Sequence, residues 1–90
     1  MKQLEFEDLA TWIAACQARG LDSAVLRWIS EVRAIRHDGG VTVGPVRQAT
    51  LLAYDGGLLL RTVIDAPPED LRRQLDGAGL RLRVVLDHIG

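Results

Sequence analysis

Both histidines of this 90-residue chain sit beside an aspartate, as His37-Asp38 and Asp87-His88. Imidazole and carboxylate are ligands for zinc and other divalent ions, and histidine also moves protons near neutral pH. If the pairs met, His37, Asp38, Asp87 and His88 would supply four metal ligands. Their spacing matches no metal-binding pattern, however, and adjacent residues of an extended segment point to opposite faces. The simpler expectation puts each pair at a strand end, with the Asp38 carboxylate accepting backbone N–H bonds in a turn.

Arginine offers a second chemistry, since ten of the eleven basic residues are arginine. Arg61, Arg72, Arg73, Arg81 and Arg83 are the candidate anion-binding group. Arg81 and Arg83 share a face of one strand by alternation, whereas Arg72 and Arg73 belong to the exposed side of a helix. With Tyr54 and His88, Arg61, Arg81 and Arg83 suggest a small nucleic-acid-binding protein or toxin-type ribonuclease, with arginine clamping phosphate and His88 transferring a proton. Asp65, Glu69, Asp70, Asp76 and Asp87 match those five arginines in number, so an ion-paired, solvated surface is the stronger expectation. A net charge of −1 gives no long-range attraction to nucleic acid or anionic lipid.

Other chemistry finds little footing. Cys16 lies on an apolar helical stripe and reads as a small buried hydrophobe, not an exposed nucleophile paired with a base. Being alone, it can form no internal disulfide, and this fits a reducing, cytosolic setting. Ser23 and Ser30 lack an elbow or triad signature. Glycines 39, 40, 44, 56 and 57 join strands and not a strand to a helix, so they make no phosphate-cradling loop. No cofactor is implied.

The elements that must position these residues are legible from an internal echo. Residues 36–43, Arg-His-Asp-Gly-Gly-Val-Thr-Val, recur at 53–60 as Ala-Tyr-Asp-Gly-Gly-Leu-Leu-Leu. Each copy places an Asp-Gly-Gly turn before an apolar or β-branched triplet, as a hairpin does. Residues 46–54 and 58–65 form the clearest strand pair. Leu58 to Leu60 is apolar on both faces, which predicts an interior strand covered from both sides.

Leu9, Trp12, Ile13 and Cys16 predict a helix over 7–18, with Gly20 as its stop. Asp22 or Ser23 is read as the cap of a second helix carrying Leu21, Val25, Trp28 or Ile29, and Val32. That helix either runs to residue 35 or yields near 31 to a strand feeding the Asp38 turn, and the echo favours the strand. Gly44-Pro45 is expected to interrupt the following strand. Pro67-Pro68 opens a helix bearing Leu71, Leu75 and Ala78, and residues 80–86 alternate as a last strand.

The sequence therefore predicts one α+β domain over 1–90, with a mostly antiparallel sheet and helices packed on one face. The expected order is α-α-β-β-β-β-α-β, or α-α-β-β-β-α-β if the second helix continues through 35. The opening residues are too acidic and broken for a signal peptide, and no apolar run reaches the ~20 residues of a membrane span. Apolar residues make up 48% of the chain but only Phe6, Trp12, Trp28 and Tyr54 are aromatic, so the core is aliphatic. An aliphatic excess in a small domain is efficiently hidden in a subunit interface. The functional expectation is a non-catalytic interaction or assembly module, homodimeric or bound to a partner protein.

Overall fold

A computed structural model describes residues 2–65 and 69–88. The elements run β1 (Lys2–Phe6), α1 (Leu9–Ala18), β2 (Ser23–His37), β3 (Gly40–Asp55), β4 (Leu58–Ile64), α2 (Leu71–Gly77) and β5 (Arg81–His88). The five strands form one sheet in the order β1-β4-β3-β2-β5.

This sheet is mixed, which corrects the expectation of a mostly antiparallel one. The two hairpin pairs, β2–β3 and β3–β4, are antiparallel; β1–β4 and β2–β5 are parallel. The physical reason lies in the helices. Each connects two strands that run the same way, β1 to β2 through α1 and β4 to β5 through α2, and a helical crossover is the usual route between parallel strands.

The expected second helix does not exist. Residues 23–37 form one 15-residue strand, so both element orders offered by the sequence fail at this point. Ala24 and Leu26 are buried while Ser23 and Arg27 are exposed, the period-two alternation of a strand. Val25 mimicked helical spacing because β2 is interior at this level and carries apolar residues on its second face as well. The sequence reading also passed over β1. Its alternation of Lys2, Leu4 and Phe6 with Gln3 and Glu5 is diluted by the charges that an edge strand carries.

Asp8 caps α1: its carboxylate accepts a 2.8 Å bond from the Thr11 N–H, and the Thr11 hydroxyl, helped by that N–H, holds its pKa below the usual 3.8. Both helices end alike. Gly20 (φ +67°) and Gly79 (φ +77°) follow the caps. Leu21 N–H then bonds back to Cys16 O, and Leu80 N–H to Leu75 O. These are Schellman closures, with glycine taking the left-handed position. Residues 66–68 lie outside the described residues, and with them the expected Pro67-Pro68 helix start; α2 begins at Leu71.

The core lies between the helices and one face of the sheet, where Trp12, Cys16, Leu71, Leu75 and Leu80 bury Ala24, Leu26, Ala49, Leu51, Ala53 and Leu60. Trp12 is fully buried and its Nε1–H donates a 3.0 Å bond to Leu60 O, so no donor is left unpaired. Thr62, also fully buried, donates through Oγ1 to Phe6 O at 3.0 Å.

Both expected hairpin reversals form, one step out of phase. Asp38-Gly39 makes the first turn, between paired His37 and Gly40, and Gly56-Gly57 makes the second, between paired Asp55 and Leu58. Gly44-Pro45 does not interrupt β3. The β2–β3 register runs unbroken from Val25↔Leu52 to His37↔Gly40, with Pro45 opposite Val32. β4 ends at Ala49↔Ile64 and β5 at Ser30↔His88. Beyond those points β2 and β3 pair only with each other among the described residues, as a two-stranded ribbon. The molecule's 45 Å long axis is close to the ~46 Å that fourteen steps of about 3.3 Å along β2 would cover.

Candidate functional site

Residues paired across a sheet share a face, so the register locates the arginines. Glu5, Arg61, Leu52, Val25 and Arg83 form one row through all five strands. Arg81 lies two residues before Arg83, hence on the same face. This is the side away from the core, and no helix covers it among the described residues. Arg72 and Arg73 are exposed on α2, in the layer on the opposite side of the sheet. The five arginines therefore do not make one patch.

Of the three that share a face, Arg61 is engaged. Its Nη1 donates to both carboxylate oxygens of Glu5 at 2.8 Å, across the β1–β4 pair. Arg81 faces Asp22 at 3.7 Å with both side chains highly exposed, a contact of the kind worth ~0–1 kcal/mol. Arg83 is exposed and has no ion-pair partner among the described residues.

Arg81 and Arg83 border a shallow hollow of about 400 Å³ with Ser23, Val25, Leu52 and Tyr54. Leu52, only 7% exposed, is its floor, while Tyr54 stands 51% exposed on the far wall. The hollow exists because β2 places small Ser23 and Val25 between Tyr54 on β3 and the arginines on β5. An aromatic wall, an apolar floor and a cationic rim can hold a planar or apolar body that carries an anion. The hollow's hydroxyl groups are those of Ser23 and Tyr54.

The histidine pairs are placed by backbone register, since the side chains of His37, Asp87 and His88 lie outside the description. His88 pairs with Ser30, and His37 lies seven residues further along the same strand. At ~3.3 Å per residue that is about 23 Å, so one chain does not bring the pairs together. Of the ribonuclease constellation, Tyr54, Arg61, Arg81 and Arg83 share the outer face of the sheet, with Arg61 held by Glu5; position 88 is placed by its backbone pairing with Ser30. Among the described residues no group of three or more His, Cys, Asp or Glu could hold a metal ion.

Cys16 is fully buried on α1, and burial pushes its thiol up to about 11. That fits the structural role read from its stripe. Sequence reasoning missed Ser23, Val25 and Leu52 as lining residues, because assigning 22–32 to a helix hid their alignment. The available signal was an alternation of Ser23, Val25 and Arg27 against Ala24, Leu26 and Trp28.

Comparison with known protein families and with curated proteins found no match to this chain. Among the described residues no helix is long and apolar enough to cross a membrane.

Proposed function

We propose that this chain is a non-catalytic assembly module that acts by self-association or by binding a partner protein. The observation that carries this reading is the ribbon. Among the described residues, 31–37 and 40–46 continue two strands past every other strand of the sheet. An isolated two-stranded hairpin is marginal in water, and long exposed edges are templates for pairing with another chain. The uncovered face adds to this support, with Val63 and Tyr54 well exposed beside half-buried Val25 and Leu59. The lone buried cysteine supports a reducing compartment.

The test is solution mass by sedimentation from high to submicromolar concentration, at low and high salt. A dimer, or a stable complex with a partner protein, that persists at high salt is expected. A monomer with no protein partner throughout would overturn the proposal.

The hollow favours a second reading, an anion-binding surface for nucleic acid at Tyr54, Arg81 and Arg83. Its signature is oligonucleotide binding that falls steeply as salt rises and weakens in Arg83→Ala. Oligonucleotide anisotropy that stays flat at low salt would remove it.

A further inference from the structure

The hollow on the outer face has a width set by the sheet. Tyr54 on β3 and Arg81 on β5 are its walls, and exposed Ser23 on β2 lies between them. Two strand spacings separate those walls at the backbone, about 9.6 Å, and the small serine side chain leaves the space over it unfilled. Stacked rings take centroid separations of about 4.5–7 Å, and a guanidinium stacks within ~6 Å of a ring, so the slot admits one planar ring and not two. One row further along the strands, Leu52 and Val25 supply an apolar floor and Arg83 a cation. Glu5 is held by Arg61, and Asp55 by Arg19 at 3.1 Å, while Arg83 has no ion-pair partner among the described residues. Arg81 keeps only its loose, exposed contact with Asp22. The hollow lies where β5 begins. His88 is five residues beyond Arg83, about 16.5 Å, so strand continuing past it leads away from the slot.

We infer that this hollow takes one unpaired nucleotide, with its base between Tyr54 and Arg81 and its phosphate on Arg83. This rests on the anion-binding reading above and specifies the unit bound; it needs no self-association. A base offers a π-face to each wall, and unpaired bases stack on aromatic rings and on guanidinium planes. Ser23 adds a hydroxyl to the floor of the slot, within the same hollow. The step from Arg81 to Arg83 is about 6.6 Å along β5, which suits a ligand whose anion is set off from its ring. A ribose provides such a spacer between base and phosphate, whereas a benzoate carries its anion directly on the ring. A base within a duplex is stacked and paired, so it cannot enter. A free nucleotide and a nucleotide of a single strand present the same chemistry to the slot.

Binding to the full chain at low salt tests the slot. The probes are adenosine monophosphate, followed by calorimetry, and a labelled oligoadenylate, followed by anisotropy as a single strand and as a duplex with oligouridylate. The mononucleotide and the single strand should bind, and Tyr54→Leu should weaken both about 10-fold, the scale of one base–aromatic stack, while Tyr54→Phe should not. Ser23→Leu fills the slot from an exposed position, so it should weaken both while leaving the unfolding midpoint in place. Arg83→Ala should weaken the mononucleotide, and Arg72→Ala, on the other side of the sheet, should change nothing. A single strand that outbinds the mononucleotide at equal nucleotide concentration identifies a strand as the source; equal binding identifies the free nucleotide. If the oligonucleotide binds but ignores Tyr54→Leu and Ser23→Leu, or if duplex and single strand bind alike, the slot is wrong and the anion surface stands. If no probe binds at low salt, both fail. Benzoate that binds as tightly as adenosine monophosphate overturns the ligand class.

Discussion

The two halves of the β2–β3 hairpin share one register and differ in everything around it. The proximal half, from Val25↔Leu52 to Trp28↔Ala49, lies between β4 and β5 with the core on one face; beyond Ser30↔Arg47 the distal half is, among the described residues, a ribbon of two strands. Continuity of a ladder is therefore no measure of how firmly it is held. Most of a hairpin's stability comes from what packs on its faces and edges, and among the described residues only the proximal half has strands on both edges.

The largest break in this comparison comes from Trp12, fully buried in the core cluster that also holds Ala24, Leu26, Ala49 and Leu51 of the proximal half. Trp12→Ala removes a fully buried side chain and its bond to Leu60 O, and should cost about 3–5 kcal/mol in a denaturant titration. A 90-residue domain tolerates such a loss poorly. Retention of the parental midpoint would mean that the core is not where the structure puts it.

The turns come next. Gly56 and Gly40 both have positive φ, +61° and +125°, and an added methyl meets nothing within 4 Å at either. Alanine at either position is therefore penalised through the backbone alone, by about 1–2 kcal/mol. For Gly56→Ala this should appear in the global unfolding midpoint, because its turn belongs to the supported half. For Gly40→Ala it should appear as faster amide hydrogen exchange over the ribbon, with the global midpoint nearly unchanged. Equal shifts of the midpoint would show that the ribbon unfolds together with the body.

Cys16 sharpens the contrast through pH. Its folded pKa is raised by burial, to about 11 from an ordinary 9.0, so the fold favours the neutral thiol. That contribution is fully present below pH ~9 and is lost as pH rises through the folded value. Cys16→Ala should flatten this alkaline loss in stability curves, and in the parent a thiol reagent at pH 8 should react only as the body unfolds. Smallest of all is Val41→Thr, at a distal position 60% exposed, which should change stability by less than about 0.5 kcal/mol. A larger loss in the isolated chain at low concentration would place a packing partner on the ribbon.

Local signals determined much of this protein. The turns at 38–39 and 56–57, the helix stop at Gly20, the buried stripe of α1 and the strand pair after residue 46 all follow from contacts a few residues apart. Asp8, Thr11 and Gly20 act within one helical turn, which is why they are legible. Tertiary structure alone decided the rest. Whether 23–32 coils or extends depends on having β3 and β5 alongside, since its apolar residues satisfy both periods. Parallel pairing of β1 with β4 and of β2 with β5 joins residues more than fifty apart, and Tyr54, Arg81 and Arg83 share a hollow only through that pairing. Side-chain alternation assigns a residue to one face of its own strand; it carries no record of which strand comes to lie beside it.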